Sequence, residues 1–247
     1  MKIPSKAIIL VAGRGTRLKP LTDKVHKCLT KVNDTPILFN ALRHLQNNGV
    51  REVILVVGYL GEQIRREVGQ KFGKIKVSYV NNPIYFKTNT GYSLWLAMKK
   101  IEESILILEG DVFFEGSLLK KFLLDSRENL TVLEKYNSTL DGTFVSLGEN
   151  FLVVDWVHKK DRPEGFTVED KYKTVNIYKF SKNFVEKWLK PFLAEHATKL
   201  EGVSPVEFVF RDIIAAGGKI EGCVTNLKWF EIDDIKDLRI AEEIFKK

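Results

Sequence analysis

Apolar positions in this chain fall into two textures, short unbroken runs and longer stretches in which they recur every three or four residues. Lys6 to Ala12 is an unbroken run of the kind that forms a strand buried on both faces, and it leads straight into Gly13, Arg14 and Gly15. The pattern therefore places a tight loop at the carboxyl end of a central strand. Pro36 opens a helical period through Asn48, with Ile37, Leu38, Ala41, Leu42 and Leu45 on one face and Gly49 as its stop. Glu52 to Val57 is a second buried strand. A helix from Gly61 to Phe72, a strand from Lys76 to Val80, a helix from Ser93 to Ile101 and a strand from Ile105 to Leu108 follow. This alternation predicts an α/β fold, an open and mostly parallel sheet with helices on both faces, whose ligands bind beyond the carboxyl ends of the strands.

After Asn129 the texture changes. Leu130 to Leu133, Gly142 to Leu147, Phe151 to Val157 and Thr174 to Phe180 read as short strands joined by turns, a smaller β-rich lobe or an extension of the sheet. Lys182 to Glu195 and Pro205 to Ala216 are helical, Leu227 to Ile232 returns to a strand, and Ile235 to Phe245 closes the pattern as an amphipathic helix. No internal repeat or linker divides the chain. The expectation is one domain over 1–247, with a first part over 1–128, a lobe over 129–226, and a last strand and helix over 227–247.

Composition narrows the classes. With 247 residues, 44% hydrophobic and 29% charged, the chain has the makings of a core that needs neither disulfide nor structural metal. No apolar run nears the roughly 18 residues of a membrane span. The apolar stretch near the start is too short for a signal peptide and meets glycine instead of a cleavage site, so a cytoplasmic protein is expected. Cys28 and Cys223 have no CxxC spacing and read as buried thiols. The net charge of +7 is scattered, with no block of consecutive Lys or Arg, which argues against a nucleic-acid partner.

Two constellations carry chemistry. The first is Gly13, Arg14, Gly15, Thr16, Arg17, Leu18, then Pro20, Leu21, Thr22 and Lys27. Glycines let backbone N–H groups approach an anion, while Arg17 and Lys27 neutralise phosphate oxygens. The spacing is neither GxxxxGK[ST] nor GxGxxG. Alone it fits a phosphate loop and an ordinary tight turn equally. The second joins Asp111, directly after the 105–108 strand, to Glu231 and Asp233 in WFEIDD. Acids at i and i+2 of a strand share a face, and with Asp111 they make an oxygen set suited to Mg²⁺. The alternative is that Asp111 caps a helix and Glu231, Asp233 and Asp234 are solvated turn acids.

Together these motifs resemble the nucleoside-triphosphate transferase family, whose opening pattern is a strand, GxGxRLxPLT and a lysine. Gly13, Gly15, Arg17, Leu18, Pro20, Leu21, Thr22 and Lys27 match it. GYLGEQI (Gly58 to Ile64), TNTGYSLWLA (Thr88 to Ala97), EGDVFFE (Glu109 to Glu115), YKTVNIYKFS (Tyr172 to Ser181) and WFEIDDIKDLRIAEEIF (Trp229 to Phe245) narrow the resemblance. They point to the branch that includes phosphocholine cytidylyltransferases and relatives acting on 2-aminoethylphosphonate. The resemblance implies a Rossmann-like fold with a smaller β-rich substrate lobe. It also implies Mg²⁺-dependent transfer of CMP from CTP to a small phosphate or phosphonate, with release of pyrophosphate.

Residue by residue, it implies that the Ala12 to Arg17 loop wraps the triphosphate and that Arg17 and Lys27 stabilise the leaving pyrophosphate. Asp111 and Asp233 would hold Mg²⁺ with Glu231, Thr88, Asn89 and Ser93 would face cytosine, and Lys173 would meet the incoming phosphate or phosphonate. His26 stands where the family has Pro, a change expected to loosen the loop before Lys27. A cationic head group calls for carboxylates and aromatic faces, and Asp141, Trp156, Tyr172, Glu207 and Phe208 are the candidates. The rivals are a hexose-1-phosphate nucleotidyltransferase using UTP or dTTP, opposed by TNTGYS in the base loop, and a non-catalytic nucleotide sensor, which has no need of Arg17, Lys27, Asp111 and Asp233 together.

Overall fold

The computed structural model describes residues 3–199 and 202–246; the outermost residues of the expected 1–247 domain lie outside this range. The Lys6–Val11 strand lies in the middle of a mixed sheet, paired in parallel with Glu52–Val57 on one side and Ile105–Glu109 on the other. Ile75–Asn81 continues the parallel part beyond Glu52–Val57, and the short Lys71–Phe72 strand closes that edge. Lys6–Val11, Glu52–Val57 and Ile105–Glu109 are apolar along nearly their whole length because both faces of the sheet are covered there, whereas Ile75–Asn81 alternates buried and exposed positions. Ala7, Ile9 and Val11 point into one core with the helices Ile37–Asn47 and Gly116–Leu124, while Ile8 and Leu10 point into another with Thr90–Met98 and Val206–Ala215. The two-residue alternation of a strand is thus visible as two separate cores.

The second half extends this same sheet. Tyr172–Phe180 runs antiparallel to Ile105–Glu109, and Leu130–Lys135, Phe144–Leu147, Val153–Val157 and Glu221–Val224 assemble around it. Along one edge Tyr172–Phe180 changes partner: Tyr172 and Lys173 pair with Phe144–Leu147, whereas Ile177 to Phe180 pair with Ile105–Glu109. Between the two stretches Asn176 takes a left-handed conformation, φ +63°, and the register to Leu130–Lys135 shifts between Thr174 and Tyr178. Such a bulge re-aims side chains, and here it turns Lys173 and Asn176 toward the end of Ile105–Glu109.

Several boundaries differ from the sequence expectation. The helix expected over 61–72 ends at Val68, because Gly69 adopts φ +70° and the chain turns back into Lys71–Phe72. The helix expected from Ser93 starts at Thr90, where the Asn89 side chain accepts the Thr90 N–H, and it ends at Met98. Phe151, expected in a strand, has φ +61° and is 54% exposed; the strand begins at Val153. Trp229–Glu231 stays out of the main sheet and pairs with Val112–Phe114, which sets Glu231 opposite Val112. A third core of Leu18, Val32, Ile37, Phe113, Ile232, Leu238 and Ala241 fastens the glycine loop to this ribbon and to the Ile235–Ile244 helix. Among the described residues no helix is long and apolar enough to cross a membrane.

Candidate functional site

The carboxyl ends of Lys6–Val11 and Ile105–Glu109 open on two adjoining hollows, of about 320 and 660 Å³. The smaller is lined by Ala12, Gly13, Gly15, Thr16, Lys27, Thr88, Asn89 and Ser93 among others, so the glycine loop and the TNTGYS segment face each other across it. The larger is lined by Asp141, Thr143, His158, Lys173, Asn176, Glu207, Trp229 and Glu231 among others. Arg17, Asn89, Thr90, Glu109, Asp111 and Asp233 belong to both and form the boundary between them.

The glycine loop is set by a chain of short contacts. Gly15 lies at φ +62°, the Leu18 N–H and the Thr22 hydroxyl both donate to its carbonyl, and a Cβ at this position would fall 2.8 Å from Lys27 Cβ. Close approach of the loop to the lysine therefore requires glycine. His26, expected to loosen this segment, tightens it instead: its Nδ1 accepts the Cys28 N–H at 3.1 Å, and its own N–H donates to Gln63 Oε1 at 2.7 Å. The side chain thereby caps the short 3₁₀ turn Lys27–Leu29 that proline would only have pre-bent. Burial pushes the His26 imidazole down to about 4, with the neighbouring Lys27 charge adding to the effect, so the cap is neutral at physiological pH.

Lys27 reaches the acids. Its Nζ donates to Asp111 Oδ2 at 2.9 Å and to Asp233 Oδ1 at 2.8 Å, while Arg17 bonds Asp233 Oδ2 at 2.8 Å. Burial works against charge on Lys27, yet the two carboxylates outweigh it and hold the ammonium well above the ordinary lysine range. Asp233 is correspondingly lowered, with Lys27 and then Arg17 overcoming the cost of burial. The alternation in WFEIDD divides the labour: Glu231 and Asp233 face the cleft, Ile232 is fully buried, and Asp234 caps the last helix in a reciprocal box with Asp237.

Asp111, Glu231 and Asp233 can each offer an oxygen within 4.8 Å of the others, and Asp111 Oδ1 is buried without a hydrogen-bond partner. Hard oxygen donors at that spacing, one of them unsatisfied, suit a small divalent cation. Glu231 is also held by Lys173 Nζ at 2.9 Å and Asn176 Nδ2 at 3.3 Å, and Lys173 is 3% exposed. Burial raises Glu231 above the usual carboxylate range despite Lys173, a sign of the negative charge gathered here.

Of the residues singled out in the sequence, the cleft unites Ala12, Gly13, Gly15, Thr16, Arg17, Lys27, Thr88, Asn89, Ser93, Asp111, Asp141, Lys173, Glu207, Glu231 and Asp233. Trp156, Tyr172 and Phe208 stand apart. Trp156 is 1% exposed and packs on Tyr178 and Phe210, so it is core and not a wall for a head group. Tyr172 packs on the same core and carries the Lys135 ammonium over its ring, and Phe208 is taken up by His158 and Arg211.

Three contributors escaped the sequence reading. Asn82 is 1% exposed and donates to both Thr88 Oγ1 and Ser93 Oγ, tying the base loop together; its place directly after the Ile75–Asn81 strand was the available signal. Asn176 left no sequence signal, because its role comes from a bulge. Glu109 sits two residues before Asp111 and faces both hollows.

Comparison with known proteins places this geometry. The profile of the family described as Nucleotidyl transferase matches residues 6–238. The chain is 32% identical over 242 residues to the CMP-5'-(3-aminopropyl)phosphonate synthase of Streptomyces rubellomurinus, covering 97% of this chain and 38% of that protein. It is 37% identical over 111 residues to the choline-phosphate cytidylyltransferase of Streptococcus pneumoniae, covering 45% of this chain and 47% of that protein. The chain thus aligns with less than half the length of either relative. The solved structure of the Streptococcus pneumoniae CTP:phosphocholine cytidylyltransferase superposes with a TM-score of 0.81 at 25% identity, covering 98% of this chain and 99% of that one.

Proposed function

Since the chain belongs to the nucleotidyl transferase family, we propose that it joins CMP from CTP to a small phosphonate or phosphate bearing a cationic amino or ammonium head, releasing pyrophosphate. The observation that carries this reading is the convergence of Asp111, Glu231 and Asp233 with Lys27 and Arg17 at the boundary between two hollows. One hollow has a glycine loop and the other a buried lysine. Relatives named for CMP-phosphonate synthesis and for choline phosphate support the choice of CTP and acceptor class.

The smaller hollow takes the nucleotide. Gly13, Gly15 and Thr16 let the backbone approach the triphosphate, and Thr88, Asn89 and Ser93, braced by Asn82, face the base. The acceptor lies in the larger hollow with its phosphonate oxygens at Lys173. An acceptor oxygen attacks the α-phosphorus of CTP, a new P–O bond forms, and the bond to the β-phosphate oxygen breaks in line. The attacking acceptor oxygen is already ionised near neutral pH, so no general base is required. Lys27 and Arg17 neutralise the charge that grows on the departing pyrophosphate, and Lys173 holds the nucleophile. Mg²⁺ held by Asp111, Asp233 and Glu231 would supply charge neutralisation at the α-phosphate.

The test is pyrophosphate release with Mg²⁺ or with chelator, across CTP, UTP, ATP and GTP against 2-aminoethylphosphonate, phosphocholine, phosphoethanolamine and glucose 1-phosphate. Release with CTP and an amino or ammonium acceptor is expected. Release confined to UTP with a sugar phosphate transfers the protein to the hexose branch, and nucleotide binding with no release returns it to a sensor.

A further inference from the structure

The larger hollow contains an imbalance of charge that the transfer mechanism leaves unexplained. Seven carboxyl groups line it; Asp141 is paired with Arg162 and Asp237 accepts the Asp233 and Asp234 backbone N–H groups, which leaves Glu109, Asp111, Glu207, Glu231 and Asp233. The cations at ion-pair distance are committed: Lys27 to Asp111 and Asp233, Arg17 to Asp233, and Lys173 to Glu231. Among the described residues Glu109 and Glu207 have no ion-pair partner, although Lys159 and Lys160 also line the hollow. The single side-chain bond to Glu207 comes from the Thr143 hydroxyl, at 3.3 Å. Glu109 Oε1 is shut off from solvent and has no hydrogen-bond partner at all. Its position is fixed by the fold: Glu109 ends its strand opposite Leu10, at the point where Tyr172–Phe180 has let go of that strand. A buried, unpaired carboxylate is costly unless a ligand completes it.

We infer that Glu109 and Glu207 form the seat for a primary ammonium group on the acceptor, which makes them the residues that select its head group. This rests on the reading of the site as a cytidylyltransferase with a cationic acceptor. A primary ammonium brings both things that are missing, a positive charge and N–H donors for the orphaned oxygen, whereas a quaternary ammonium brings charge alone. The aromatic faces that would favour a quaternary head are occupied elsewhere. Trp156 is in the core, the Trp229 ring faces the Lys173 ammonium at 5.6 Å, and Phe230 packs on the third core.

The experiment measures kcat and KM by pyrophosphate release with CTP for three acceptors of equal reach: 3-aminopropylphosphonate, its N-trimethyl analogue and neutral butylphosphonate. It is run on the wild type, Glu109→Gln and Glu207→Gln, with thermal melts to confirm folding and calorimetric Mg²⁺ titration as a second readout. The wild type is expected to prefer the primary amine over both analogues at least tenfold. In each variant that preference falls at least tenfold through the KM of the amine, while the KM for CTP and the Mg²⁺ affinity stay put. Equal losses on amine and neutral acceptors, a wild-type preference for the trimethyl head, or a change in Mg²⁺ affinity with acceptor KM unmoved would each overturn the assignment. If one variant does not fold, the other decides. Turnover without head-group discrimination defeats this inference alone, while no turnover with any of the three acceptors defeats the cytidylyltransferase reading beneath it as well.

Discussion

Replacing Gly15 by alanine tests whether the glycine loop exists to bring the backbone against Lys27. Two costs arise and can be separated. The first is conformational: a non-glycine residue at φ +62° costs about 1–2 kcal/mol. The second is steric. The new Cβ would lie 2.8 Å from Lys27 Cβ, 3.1 Å from its Cδ and 3.3 Å from its Cγ, so it meets the root of the side chain and not its flexible end. Ordinary carbon contact is about 3.5–4.0 Å, which requires the lysine stem to move by roughly 1 Å. The Lys27 ammonium bridges Asp111 and Asp233 at 2.9 and 2.8 Å, and a displacement of about 1 Å at a charged site can cost roughly 10²-fold in rate.

Gly49→Ala supplies the control, because Gly49 has φ +86° with nothing within 4 Å of the added Cβ. Both variants are expected to lower Tm by roughly 2–4 °C per kcal/mol of strain, and Gly15→Ala alone to lose about 10²-fold in kcat for pyrophosphate release. Gly15→Ala with a kcat near that of the wild type, or an equal rate loss in Gly49→Ala, refutes the reasoning.

Asp111→Asn removes a charge from the acid cluster at constant shape and is expected to lower kcat by roughly 10²–10³ with the fold intact by circular dichroism. Lys173→Met strands Glu231, so urea unfolding should show a loss of about 3 kcal/mol together with a raised acceptor KM. Neutral His26 makes stability fall as pH drops from its unfolded value near 6.5 to its folded value of about 4, because the unfolded chain binds the extra proton first; the term is roughly 3 kcal/mol. His26→Asn keeps a capping side chain without the titration, and its melting temperature should fall less steeply across that window. An unchanged slope would mean that His26 is charged in the fold.

The parallel half of the sheet was legible because each central strand is apolar on both faces and each connecting helix on one, a pattern that fixes which edge carries the loops. Asp111 and Asp233 were legible from their strand-end positions only as one of two readings, and their meeting with Lys27 had no signal in spacing, since Lys27 and Asp233, 206 positions apart, meet through the pairing of Trp229–Glu231 with Val112–Phe114. Trp156 was misread because an aromatic in a short strand looks alike in sequence whether its face points to core or cleft, and the register decides. Glu109 and Asn176 were missed for the same reason: a strand that changes partner at a bulge has no signature in composition or period. His26 shows the converse, a departure from the family pattern that the fold turns into a cap.

The central claim is a new bond between the acceptor and the α-phosphorus of CTP. Phosphorus NMR of a reaction containing CTP, Mg²⁺ and 3-aminopropylphosphonate tests it most directly. The account predicts coupled phosphonate and phosphate resonances of a CMP-linked product, growing in step with pyrophosphate and absent with Asp111→Asn. Release of free CMP with the phosphonate resonance unchanged, or a coupled product formed from UTP and glucose 1-phosphate in its place, would contradict it.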